Sequence, residues 1–210
     1  MSYDDHDAAM DEMYERIGDE LYSEHRVQAI GEFTAERLAS FYLANPMVMR
    51  PAVDALQEAK LLKERGHHAA AVVFCATTIE LLLKATLLQP IVYGLVHNAG
   101  LADIIVKHAL GQTGFDRYRG LMSRLFQELA NLDLAGVARD GVSVALIDES
   151  KHVQELRNDI IHKGRSCGAT DAEEAIDVAV AVFDKMVVDV LWSIGLAVGE
   201  KGRIAPRQFT

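Results

Sequence analysis

The chain has 210 residues, half of them hydrophobic and a quarter charged, with a formal net charge of −10. That length can bury one substantial core, while two cysteines in unlike contexts, Cys75 and Cys167, exclude a disulfide framework, and no Cys/His cluster has zinc spacing. The acidic N-terminus lacks the basic region of a secretory signal, so a reducing, cytoplasmic setting is expected.

The charge is uneven. Residues 1–24 hold nine acids against Arg16, a sum of −8, and the rest of the chain sums to −2. An acidic total confined to an arm leaves room for an RNA-facing groove, yet it argues against broad, nonspecific nucleic-acid binding. From Asp7 to about Ser23, Met10, Met13, Ile17 and Leu21 recur at helical spacing and predict an amphipathic helix with an acidic face. Two roles suit this arm: a solvated helix docked on the body, or a shield for the groove that also presents a partner-binding surface. Gly31 and Phe33-Thr34 interrupt the pattern, with Thr34 as N-cap of a short helix reaching Leu43.

Asn45-Pro46 opens the domain proper, and Pro51 restricts the next regular helix to about Ala52–Glu64, which Gly66 ends. Ala69–Leu88 is apolar nearly all round, as a central bundle helix should be, with Glu80 and Lys84 forming one polar strip at i,i+4. Charges interrupt both this stretch and Ala172–Val198, so both are expected to be buried helices instead of membrane spans. Pro90 is expected to end the central helix, and Ile91–Leu110 to follow as a second apolar segment broken at Asn98-Ala99-Gly100. A loop at Gly111–Gly114 precedes a helix from about Asp116 to Leu132, whose Arg117, Arg119 and Arg124 are the densest basic patch.

Asn131–Ser143 is irregular and leads into a helix over Ile147–Gly164, where the polar residues of greatest interest lie. Val153, Leu156 and Ile160 form its core stripe, with Arg157 at the margin. Asn158 and His162, four apart, share a face turned from the core and separated from Arg157 by Ile161. Gly164 suits the left-handed turn after a helix and Lys163 its negative end, which puts His162 in the last turn, well placed for proton exchange near neutral pH. Lys163 and Arg165 add two cations beside it. Thr170-Asp171-Ala172-Glu173 has the form of a capping box. It opens a last long helix with a core face of Ile176, Val180, Phe183, Val187, Val190, Leu191 and Ile194; Trp192 is expected to pack, and residues 199–210 to fray.

Arg157-Asn158-Asp159-Ile160-Ile161-His162 resembles the R-polar-x-x-x-H signature of the HEPN superfamily, and an I-E-x-x-x-K run such as Ile79–Lys84 is also common there. The resemblance implies an all-α, antiparallel four- to five-helix bundle at 46–198, with an acidic extension at 1–45 and a flexible tail at 199–210. It implies a metal-independent endoribonuclease of a toxin–antitoxin or defence system, active as a homodimer whose two motif helices meet at a composite site. Arg157, Asn158 and His162 would be catalytic, with Glu80, Lys163 and Arg165 as auxiliaries. Glu80 either orients Arg157 across the bundle or pairs locally with Lys84. No cofactor or metal is implied; the partners are RNA, a second copy and an antitoxin or regulatory protein, and no membrane. The competing readings are a non-catalytic HEPN-like module for dimerisation, nucleotide binding or regulation, and a plain helical interaction protein.

Overall fold

The computed structural model describes residues 5–96, 99–106 and 135–207, together with 120, 123, 124, 127 and 133. It is mostly helical. Helix α1 is Asp5–Ala44, α2 is Arg50–Glu64 and α3 is His68–Leu95; α4 is Ala99–Ile104 and α5 Leu146–Lys163. Helix α6 covers 169–193, and a two-stranded antiparallel sheet closes the described chain, with β1 (Leu196–Val198) paired to β2 (Ile204–Pro206). The expected loop at 111–114, Arg117 and Arg119 lie outside the described residues.

Helix α3 is the axis of the core. Its Val72, Cys75, Ile79, Leu82, Leu83 and Leu87 are fully buried, and α2, α5 and α6 pack around it. Small side chains permit the close approach: Ala71 and Ala76 on α3, and Ala172, Ala175 and Ala179 on α6, are all buried. By length and composition α3 could cross a membrane, but most of its apolar stretch is buried inside the bundle.

Pro90 does not end this helix. Residues Leu81–Leu88 form a π-helix, in which Gln89 donates its N–H to the Lys84 carbonyl, five residues back. Pro90 then stands in the first turn of the resumed α-helical stretch Gln89–Leu95. The ladder is already changing register there, so the missing N–H does not break the helix. A second π-helical stretch, Phe183–Val187, interrupts α6, and the two π-helical stretches pack against each other in the core.

Three further expectations are corrected. Helix α1 runs through Gly31 and Thr34 without a break, so Thr34 is no N-cap. Its last turns also belong to the core and do not end an appendage: Leu38 and Tyr42 are buried, Arg37 donates to the Gly94 carbonyl at 2.9 Å, and Phe41 stacks on Tyr93 at 5.9 Å. Finally, residues 199–207 are not a frayed tail. Ile204 is buried and donates its N–H to the Pro46 carbonyl at 2.8 Å, so burial and pairing outweigh the entropy that frees most termini.

Candidate functional site

Helix α5 is held firmly at both ends. At its start Ala145 is extended, and the Arg139 guanidinium grips both carboxylate oxygens of Glu149, with Nε to Oε2 at 2.9 Å. That contact ties the irregular segment before the helix to its first turn, where acids are favoured. In the middle, Gln154 donates from Nε2 to the Ala76 carbonyl at 2.8 Å, pinning α5 to α3. At the far end Gly164 takes φ +66°, ψ +29°, and its N–H returns to the Ile160 carbonyl. The sequence predicts this glycine for that reason: other residues pay a steric penalty in the left-handed region.

The predicted core stripe faces inward. Val153 and Leu156 are buried and Ile160 packs partly against the core. Asn158, Ile161 and His162 are exposed, and Arg157 is half-buried at the margin. At about 100° per residue, Arg157 and His162 leave the helix axis roughly 140° apart. The Arg157 side chain closes part of that gap, because its Nη1 donates to Oδ1 of Asn158 at 3.0 Å. Asn158 lies four residues before His162, on the same face. The amide therefore draws the guanidinium over Ile161 toward the imidazole side.

The flanking cations share one carboxylate. Lys163 Nζ lies 2.7 Å from Asp159 Oδ1, and Arg165 Nη1 lies 3.8 Å from Oδ2 of the same carboxylate. The hydrogen bond from Lys163 is the main cause holding the Asp159 carboxyl below its usual range; the Coulombic pull of Lys163 and Arg165 adds to it. Lys163 and Arg165 are thus partly neutralised, whereas Arg157 and His162 have no carboxylate partner among the described residues. Glu80 does not reach Arg157; it accepts from Lys84 at 2.8 Å, the local pair of the two arrangements considered. Arg124, the described member of the basic patch, is exposed.

Three features here were not read from the sequence: the Arg139–Glu149 grip, the Gln154 pin and the Asp159 clamp. The clamp carried a signal, since an acid followed four residues later by a lysine is a standard helix pair. Among the described residues no group of three or more His, Cys, Asp or Glu side chains could hold a metal ion. No protein-family model matches the chain, and no curated protein or solved structure matches it.

Proposed function

We propose that the chain is a metal-independent endoribonuclease of the HEPN type. In this reading the helices form its four- to five-helix bundle, and two copies join so that their motif helices meet at a composite site. Arg157 binds the scissile phosphate and neutralises the charge that grows on it. One His162 takes the proton of the ribose 2′-hydroxyl as its oxygen attacks phosphorus. The His162 of the second copy gives a proton to the departing 5′-oxygen. The products carry a 2′,3′-cyclic phosphate and a 5′-hydroxyl, and DNA, which lacks the nucleophile, is resistant. Asn158 positions Arg157.

The observation that carries this reading is the Arg157–Asn158–His162 edge, exposed at Asn158 and His162, in which a 3.0 Å hydrogen bond turns the guanidinium toward the histidine's face. Core side chains do not need this edge, and no carboxylate among the described residues quenches it. A cytoplasmic toxin–antitoxin or defence role, with an antitoxin or regulatory partner, is the context proposed with it. The second reading is a non-catalytic dimerisation, nucleotide-binding or regulatory module. It is favoured by the Asp159 clamp, which removes positive charge from beside the motif.

Incubation with total RNA and tRNA in EDTA, followed by analysis of product ends, separates the two. Cleavage that yields cyclic phosphate ends and is lost in His162→Ala supports the ribonuclease. A folded dimer that leaves RNA intact refutes it in favour of the module.

A further inference from the structure

The two ends of α2 define two poles, a helix length apart. At its C-terminal end Lys63 pairs with Glu173 at 3.0 Å, in the first turns of α6 and a short loop away from His162. At its N-terminal end lies the C-terminal hairpin. The 15 residues of α2 separate these poles by about 22 Å.

At the hairpin pole is a cleft of roughly 490 Å³, lined by Met47, Arg50, Glu200, Lys201, Arg203 and Ala205, so that one acid stands among three cations. Arg50 is engaged by Asp54 at 2.7 Å. Lys201 and Arg203 are exposed and have no ion-pair partner among the described residues. Lys201 also holds φ +55°, ψ +28°, the only non-glycine residue with positive φ among those described. That conformation costs about 1–2 kcal/mol relative to glycine, and such strain concentrates at ligand clamps and other functional sites.

A second feature extends the cleft. Arg203 and Ala205 line the cleft on either side of the buried Ile204, and Arg207 follows directly after β2. Arg207 lays its guanidinium over the Trp192 ring, 3.6 Å from its centre. Trp192, expected to pack in the core, is instead 49% exposed. The hairpin thus carries cations at its tip and an aromatic–guanidinium stack at its base. This pairing suits single-stranded nucleic acid, because cations follow its phosphates while any base can stack on an aromatic ring.

We propose that this hairpin binds single-stranded RNA, with backbone phosphate at Lys201 and Arg203 and a base stacked at Trp192–Arg207. It is a second contact, at the other pole from the Arg157–His162 edge, for the polymer proposed above as substrate. Its identity as an RNA site rests on that reading, but its test reads binding and not cleavage.

Trp192 is the sole tryptophan, so its fluorescence reports this site alone. The full-length protein is titrated with a short 2′-O-methyl oligouridylate, which cannot be cleaved through its 2′-oxygen, and in parallel with inorganic phosphate. The expected result is saturable quenching by the oligonucleotide that weakens with salt. In the Lys201→Gly/Arg203→Gln variant, affinity falls at least tenfold, and the salt slope drops by about 0.7 for each phosphate that is no longer neutralised. Lys201→Gly also relieves the backbone, so a variant that melts no lower than the parent attributes the weaker binding to charge. Trp192→Ala, followed by anisotropy of a labelled oligonucleotide, is expected to weaken binding about tenfold. Absence of quenching, unchanged affinity in the charge variant, or equal quenching by inorganic phosphate would overturn the proposal. Oligonucleotide binding by a protein that cleaves no RNA upholds this site while refuting the cleavage reading.

Discussion

The Tyr42 hydroxyl donates to the Thr86 carbonyl at 2.6 Å, joining the last turn of α1 to the π-helical stretch of α3. Tyr42 is fully buried, and that burial pushes its phenol well above the ordinary range, keeping it a donor at any physiological pH. Tyr42→Phe removes one buried hydrogen bond and leaves the carbonyl unsatisfied, so unfolding in urea should show a loss of about 1–3 kcal/mol. By contrast, Thr86 Oγ1 is buried with no hydrogen-bond partner. Thr86→Val keeps the shape and discards the stranded hydroxyl, and should be neutral or more stable by about 1 kcal/mol.

The stripe and the edge of α5 should separate cleanly in the same assay. Leu156→Ala, at a buried position, should lower stability by about 2–4 kcal/mol. Ile160→Ala should cost less, because Ile160 is only partly buried. Asn158→Ala and His162→Ala should stay within about 0.5 kcal/mol of the parent, as exposed positions do. A large loss at either would make the edge structural.

Two glycines make opposite demands. A Cβ at Gly202 would meet Val53 Cγ2 at 2.7 Å, and the residue has φ +75°. Gly202→Ala therefore combines a clash with a backbone penalty and should lower the unfolding free energy by about 2–4 kcal/mol. Gly164 has φ +66° with nothing within 4 Å, so Gly164→Ala should cost only about 1–2 kcal/mol. Equal melting temperatures for the two variants would contradict the packing of the hairpin on α2.

The two cysteines should differ in reactivity. Burial pushes the Cys75 thiol up to about 12, with Lys60 opposing it weakly. Cys167 is half-buried in the loop after α5, and its thiol is raised mainly by burial and then by Asp171. Since the thiolate is the reactive form, mass spectrometry after iodoacetamide treatment should find Cys167 labelled in the native protein. Cys75 should react only on unfolding; native labelling there would mean that the core opens easily.

The Asp159 clamp predicts an acid dependence. A carboxyl held below its ordinary value contributes stability that is present above the unfolded-state value, about 3.9, and lost as pH falls through the folded value. NMR titration should find the Asp159 carboxyl below the usual range, and Lys163→Ala should move it back up. A carboxyl that titrates identically in the variant would show that Lys163 does not hold it.

The parts legible in the sequence are those governed by local chemistry. Gly164, the core stripe at Val153 and Leu156, and the exposed Asn158 and His162 all follow from helical spacing and one left-handed turn. What sequence reading missed depended on tertiary context. Pro90 and Gly31 are breakers whose local cost was overridden, the first by a change of helix register and the second inside one long helix. Helix α6 is capped by Gly168, two residues before the predicted cap Thr170. Asp171, not Glu173, reaches back to accept from the Gly168 N–H at 2.7 Å, so two capping patterns overlap in Gly168–Glu173 and only backbone geometry chooses between them. Strands of three residues carry too little alternation to read, which hid the hairpin, the exposure of Trp192 and the Arg207 stack.

The π-helical stretch of α3 makes the chain's length there a phase setting. Wound as an ordinary helix with the same residues, Leu81–Leu88 would carry the one residue that the wide turn absorbs, and everything beyond would turn by about 100°. Gly94, against which Leu38 rests and to which Arg37 donates, would swing away from α1. The wide turn therefore takes up the surplus residue and keeps the end of one helix aimed at another. A relative one residue shorter there could wind an ordinary helix and keep the same α1 contact surface.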